Sequence, residues 1–171
     1  MNTRILVYGL NGTGKSTLGA ALAQTLGIPF LDIETYFFPK RHDYLQHRTH
    51  EEAFMLLRQD MGRLPSFVLA SLRGDSAWPL THAVLLTAPA EVRSARVRMR
   101  SEMKFGARMQ PGGDLYDSEE RFFAKCAARS EEEAIAWRKG TGIPCLTLDG
   151  TRPTEENVAR IGNWLRGTGR P

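Results

Sequence analysis

The sequence has little of what a disulfide scaffold, a zinc site or a membrane segment needs. Only two of its 171 residues are cysteine, Cys126 and Cys145, far apart and in no C-x-x-C pairing. That excludes a disulfide framework and argues against a zinc cluster. The four histidines form no H-E-x-x-H. His47 and His50 stand in a charged stretch, where a solvated surface accounts for them better than metal ligation does. No apolar run approaches the roughly 20 residues of a membrane helix, and Ile5 to Tyr8 is too short for a signal-peptide core. Neither sign of charge dominates: 23 Lys plus Arg face 19 Asp plus Glu, for a net +4 and a pI near 9.3. An acidic disordered tail is excluded, and an anionic partner is only mildly favoured. With 42% hydrophobic residues, the expectation is a soluble, cytoplasmic chain forming one domain over 1–171, as a monomer or homodimer.

What is present alternates short apolar runs with longer periodic ones, the pattern of a parallel sheet covered by helices. Strands are expected at Arg4 to Tyr8, Pro29 to Leu31, Phe67 to Ala70, Ala83 to Thr87 and Cys145 to Leu148. A helix over Lys15 to Leu26 carries Leu18, Ala21, Leu22 and Leu26 on one face and stops at Gly27 and Pro29. Thr49-His50-Glu51-Glu52 is a capping box that opens a helix running to about Met61. Pro89 opens another, to about Lys104. Phe105 to Leu115, with Gly106, Pro111, Gly112 and Gly113, reads as a loop. One long helix from about Ser118 to Arg138 and a last one holding Val158, Ile161 and Leu165 complete a doubly wound α/β domain.

Gly9-Leu10-Asn11-Gly12-Thr13-Gly14-Lys15-Ser16 matches G-x-x-x-x-G-K-[ST] in full, between a buried strand and a helix as the mechanism requires. Glycines at 9, 12 and 14 let the backbone come close to an anion. Successive N–H groups then face inward, and the following helix adds its positive end. Lys15 is expected to reach the terminal phosphates of ATP, and the Ser16 hydroxyl to ligate Mg²⁺. The candidate nucleotide cradle is Gly9, Asn11, Gly12, Thr13, Gly14, Lys15, Ser16 and Thr17. No N/TKxD signal for guanine is present. Phe67 to Ala70 ends in Ser71 rather than in the acid a motor ATPase places there, and the run that does end in an acid, Cys145 to Asp149, comes late in the chain.

With these motifs in this order, the chain resembles the small P-loop kinases of the adenylate kinase and shikimate kinase type over nearly its whole length. That resemblance implies a three-layer α/β/α fold on a five-stranded parallel sheet, an acceptor-binding helical insert over residues 32–65 and a lid over residues 105–116. Asp32 and Glu34 lie just past a strand's C-terminal end, where α/β sheets place their ligand crevice. If the segment is extended, their spacing of two points both carboxylates the same way. One could then order Mg²⁺ through water while the other accepts the acceptor hydroxyl's proton; by resemblance Asp32 takes the metal and Glu34 the acceptor. Either could instead cap the next element.

The segment from Glu91 to Arg108 carries six basic residues against two acids, so it holds the chain's whole net charge, and the remainder balances at 17 against 17. Arg93, Arg96, Arg100 and Lys104 recur at three- and four-residue steps along one helix stripe. A solvated helix face would show the same spacing. By resemblance to family lids, Arg100, Arg108 and Arg129 are chosen to cover the transferring phosphoryl group. Gly150-Thr151-Arg152-Pro153 resembles the family turn that lies against adenine, which singles out Arg152 and Pro153, although a plain strand-to-helix turn fits equally. Tyr36, Phe37, Phe38 and Tyr44, with Lys40, Arg41 and Arg58, would line the acceptor side. Two departures stand out. The glycine triplet that shikimate kinases carry after the third strand is replaced by Ala70-Ser71-Leu72-Arg73-Gly74, and the D-G-F-P-R-like motif of adenylate kinases is absent.

The expected activity is therefore transfer of the γ-phosphoryl of ATP, with Mg²⁺, to a small polar acceptor such as a nucleoside, nucleotide or hydroxy acid. A regulatory P-loop ATPase without an acceptor is the second reading. A kinase or binder of nucleic-acid ends is the third, suggested by the basic stripe and opposed by the modest overall charge.

Overall fold

In the three central strands, successive side chains alternate between two separate apolar layers, both of them buried. Ile5, Val7, Val84 and Leu86 face one layer, with Leu18 and Leu22 of the first helix and Ile161 of the last. Leu6, Tyr8, Phe67, Leu69 and Leu85 face the other, with Leu57, Met61 and Trp78. A sheet covered on both faces is the setting parallel strands require, and all four pairings in this computed structural model are parallel. It describes residues 2–39 and 46–168. Lys40, Arg41 and Tyr44 of the expected acceptor lining lie outside the described residues.

The strands are β1 (Arg4–Tyr8), β2 (Phe30–Asp32), β3 (Phe67–Ser71), β4 (His82–Thr87) and β5 (Cys145–Asp149), in spatial order β2-β3-β1-β4-β5. The helices are α1 (Lys15–Leu26), α2 (Ile33–Phe37), α3 (His50–Arg63), α4 (Ala90–Phe105), α5 (Tyr116–Ala128), α6 (Glu131–Ala136) and α7 (Thr154–Thr168). The five-stranded parallel α/β fold expected from the sequence is therefore the fold observed. The order reverses beside β1, so the crevice at its C-terminal end is where a ligand belongs. Among the described residues no helix is long and apolar enough to cross a membrane.

Three local expectations need correction. The single helix expected over Ser118 to Arg138 is broken: Arg129 is extended, and the Ser130 hydroxyl caps α6 by accepting from the Glu133 N–H. Asp32 and Glu34 are not in an extended segment. Asp32 is the N-cap of α2, its Oδ1 accepting from the Glu34 N–H at 3.1 Å. A short carboxylate just after a strand satisfies an orphan helix N–H and turns the chain at once. The segment after α4 is not an open loop either, since Gly106–Met109 forms a 3-10 turn that buries Met109. The capping box at Thr49 is present in full, with both reciprocal hydrogen bonds.

Leu57, fully buried at the centre of the α3 layer, tests this packing. Leu57→Ala should cost about 2 to 5 kcal/mol by urea denaturation, as core leucine truncations do. A loss under about 0.5 kcal/mol would mean α3 is not packed on the sheet as described.

Candidate functional site

A loop whose N–H groups turn inward must turn carbonyls outward, and each buried carbonyl then needs a donor. Gly9 (φ 146°) and Gly12 (φ 82°) supply the backbone angles that L side chains rarely adopt. A Cβ on Gly9 would come within 2.2 Å of the Leu86 carbonyl of β4, and one on Gly12 within 2.4 Å of the Arg93 carbonyl of α4. The outward carbonyls find partners close by. Leu10 O accepts from Thr13 Oγ1 and from Lys15 Nζ, each at 2.9 Å, and the Thr13 side chain is buried for that purpose.

Arg96 of α4 supplies the next donor, a residue not singled out from the sequence beyond its place in the basic stripe. Its Nη1 donates to Gly12 O at 3.3 Å and to Gly150 O at 2.9 Å, joining the P-loop to the turn after β5. Gly150 itself lies so near that a Cβ there would be 2.3 Å from Thr13 O. Arg152 and Pro153, just beyond, are exposed, and Arg152 pairs with Glu156 at 2.8 Å. Asn11 is held from a distant part of the chain: Arg129 Nη1, at the break between α5 and α6, donates to Asn11 Oδ1.

Lys15 is where these elements converge. Burial pushes its ammonium down to about 8, with Glu34 and Asp32 opposing that shift and Arg100 and Arg129 adding to it. Arg100 Nη1 stands 3.9 Å from Glu34 Oε1. Thus Lys15, Asp32, Glu34, Arg100 and Arg129, drawn from α1, the β2–α2 junction, α4 and the α5–α6 break, share one electrostatic neighbourhood. Cys126 on α5 borders it. Burial raises its thiol while Arg129, Arg100 and Lys15 oppose the rise.

Arg108 is not part of this cluster. It pairs with Asp114 at 2.7 Å on the exposed surface of its own segment, and Arg108 O accepts from the Leu115 N–H. Ser16 and Thr17 are exposed at the start of α1. Among the described residues the Ser16 hydroxyl makes no hydrogen bond and Asp32 Oδ2 meets no donor. One hydroxyl and one carboxylate oxygen suit a hard cation that retains most of its water, as Mg²⁺ does.

Sequence reasoning also missed Trp137. Its ring packs directly over Gly74, where a Cβ would be 2.8 Å from the indole, and stands edge-on to Tyr8 at 5.4 Å. Its Nε1 is buried without a partner among the described residues. Beside it a cleft of about 230 Å³ is lined by Arg73, Asp75, Ser76 and Glu133. Tyr8, the last residue of β1, is thus packed against the indole that forms one wall of this cleft. No motif signals the contact, because Gly74 and Trp137 come together only when α6 folds back on the end of β3.

A shikimate kinase family profile matches residues 11–55, the stretch from the P-loop into α3. The uncharacterised protein YqaC of Bacillus subtilis is 26% identical over 177 residues, spanning 96% of this chain and 98% of its own. Among solved structures, a shikimate kinase from Bacteroides thetaiotaomicron superposes with a TM-score of 0.60 at 20% identity, covering 96% of this chain and 98% of its own. Deoxyadenosine kinase from M. mycoides, solved with dATP, superposes with a TM-score of 0.61 at 12% identity, covering 96% and 100%. The chain thus has the fold of the small P-loop kinases, and residues 11–55, which include Asp32 and Glu34, resemble shikimate kinases in sequence.

The lowered Lys15 ammonium makes a prediction about pH. The folded, unliganded protein gives up this proton near pH 8 while the unfolded chain holds it to about 10.5. Between those values Lys15 therefore favours the fold increasingly as pH rises. Phosphate binding needs the protonated form, so affinity moves the opposite way. Mg–ADP affinity should fall several-fold between about pH 7.5 and about pH 9, and Lys15→Ala should bind weakly with no such slope. Calorimetric titration across that range checks it; a flat wild-type profile would show that Lys15 does not meet the phosphates.

Proposed function

We propose that this protein is an ATP- and Mg²⁺-dependent kinase that moves the γ-phosphoryl group of ATP to a hydroxyl of a small polar acceptor. The observation that carries this reading is the gathering of two acids and two arginines around Lys15. A nucleotide switch or motor needs the P-loop. An acid held beside the P-loop lysine and within reach of an arginine serves a second substrate.

In this reading the N–H groups of Gly12 to Ser16 and the end of α1 cradle the phosphates, and Lys15 leaves Leu10 O to pair with their terminal oxygens. Ser16 and Asp32 would hold Mg²⁺, which neutralises charge on the β- and γ-phosphates. Glu34 orients the acceptor hydroxyl and takes its proton as the new O–P bond forms and the bond to the ADP oxygen breaks. Arg100 and Arg129 grip the equatorial oxygens, where their planar forks gain most as charge spreads. Arg152 and Pro153 border the base, with Arg96 securing the turn that carries them.

Residues 32–65 act as the acceptor insert and residues 105–116 as the lid. Closing the lid would exchange the exposed Arg108–Asp114 pair for a contact between Arg108 and phosphate. The cleft beside Trp137 suits a compact polar acceptor, such as a nucleoside, nucleotide or hydroxy acid. Similarity to a shikimate kinase and to a deoxyadenosine kinase supports the reaction class and leaves that choice among hydroxyl compounds.

The test is coupled ADP release with Mg–ATP against nucleosides, nucleotides and hydroxy acids. One class should stimulate release. Lys15→Ala should abolish it, and Glu34→Gln should lower acceptor-dependent kcat at least roughly tenfold, about 1.4 kcal/mol of barrier, with little change in ATP affinity. Slow hydrolysis that no acceptor stimulates, unchanged in Glu34→Gln, would identify a regulatory ATPase instead.

A further inference from the structure

A larger cleft, of about 310 Å³, opens between α4 and α5 beside Asn11. Its volume is at the lower end of the range for small-molecule sites. None of Lys15, Ser16, Asp32 and Glu34 lines it, and the close packing of Gly12 on the Arg93 backbone puts α4 against the loop's outer, carbonyl-bearing surface. The phosphate cradle is the inner surface. Asn11 and Cys126, which border the proposed catalytic site, also line the cleft, so the two adjoin while the remaining lining residues belong to the cleft alone.

Two arginines reach this cleft, and their circumstances differ. Arg98 is committed, donating to both carboxylate oxygens of Glu120 at 2.9 and 3.5 Å and lying 4.3 Å over the Phe123 ring. Arg93 uses only Nε, on Ala88 O at 3.2 Å. Among the described residues no carboxylate lies within ion-pair distance of it and its two terminal nitrogens meet no acceptor. A half-buried guanidinium with a free fork thus borders a cavity whose other walls include Val97, Phe123, Ala124 and Ala127. A fork of this kind takes a carboxylate or phosphate bidentately, and the apolar walls take a compact hydrocarbon body.

We propose that the α4–α5 cleft binds a small organic anion, a carboxylate or phosphate carried on a compact apolar body, through Arg93, and that its occupancy is coupled to the P-loop through Asn11. The coupling has one physical route. Asn11 borders the cleft, and its side-chain carbonyl is the acceptor for Arg129 at the α5–α6 break. A ligand that competes for Asn11 or moves α5 shifts Arg129, one of the cations around Lys15. By linkage, a ligand that alters nucleotide affinity must have its own affinity altered equally by nucleotide.

The experiment titrates benzoate, phenyl phosphate and inorganic phosphate into the full chain, with and without saturating Mg–ADP, by calorimetry and amide chemical shifts. Benzoate or phenyl phosphate should bind saturably in both conditions and at least about tenfold more tightly than inorganic phosphate; whichever binds better identifies the head group. Arg93→Gln should weaken that binding at least about tenfold, as should Ala124→Trp, which fills the cleft, while Lys15→Ala retains it. Arg93→Gln alone decides the matter should Ala124→Trp fail to fold. Absence of saturable binding overturns the site, as does binding lost in Lys15→Ala and intact in Arg93→Gln, which would put the anion in the phosphate cradle. Unchanged Mg–ADP affinity at saturating benzoate or phenyl phosphate would overturn the coupling. Because the readout is binding of a probe, the result stands whether or not an acceptor is found for the kinase reaction.

Discussion

A P-loop that turns N–H groups toward a ligand is left with backbone carbonyls that need donors, and several contacts around this loop meet that need. Thr13 and Lys15 serve Leu10 O from within, and Arg96 serves Gly12 O from α4. The same guanidinium ties down Gly150 O, so the turn after β5 is placed by the P-loop's own requirement. Arg129 reaches Asn11 from a helix break more than a hundred residues along the chain. Glycines are needed where these partners press in: backbone oxygens of Leu86 and Arg93 stand where a Cβ on Gly9 or Gly12 would be. The loop is thus a hub of the fold as well as the proposed anion site.

The arrangement leaves Lys15 in an exposed electrostatic position even though it is sheltered sterically. Its ammonium is desolvated and flanked by two arginines, and only the carboxylates of Glu34 and Asp32 offset them. Such a cluster holds excess positive charge at low effective dielectric, which is costly in the unliganded protein and is relieved by a polyanion. Glu34 therefore has two functions in the proposed reaction. Without nucleotide it partly neutralises Lys15 and Arg100; with nucleotide present those cations turn to phosphate and Glu34 is released to the acceptor hydroxyl. The 3.9 Å separation from Arg100 is loose enough for such an exchange.

The parts of this protein legible in its sequence are those set by short-range rules. The bounds of β1 and α1 follow from an apolar run, a glycine-rich turn and a Gly27 stop, and the structure has them at Arg4–Tyr8 and Lys15–Leu26. The capping box at Thr49 is likewise written in four consecutive residues. The break at Arg129 and Ser130 was hidden because alanines and glutamates on both sides favour helix, while a single serine cap competes with them. Asp32 was legible as an acid past a strand; its capping of α2 was the open alternative, and the neighbouring helix decided it. Among the arginines, periodicity marked the stripe on α4 but could not rank its members. Arg96 and Arg100 differ in role because one faces the outward carbonyls of Gly12 and Gly150 and the other faces Glu34.

This division has a physical basis that bears on what the two substrates ask of the chain. A triphosphate is bound by backbone N–H groups and a helix end, so its site is built from one contiguous segment and leaves a motif. In the proposed reaction an acceptor would be recognised by side chains brought from the β2–α2 junction, the end of β3, α4 and α6, and no spacing along the chain encodes that meeting. Trp137 illustrates the consequence. It packs over Gly74 and against Tyr8 only because the α5–α6 break turns α6 back toward the sheet, and the same break delivers Arg129 to Asn11. One interruption in a helix thus sets both a wall of the cleft beside Trp137 and a cation of the Lys15 cluster. A change of acceptor that shifted α6 would be felt at the P-loop. In the proposed reaction, acceptor choice and phosphoryl transfer would be mechanically joined by the part of the fold that local sequence describes least.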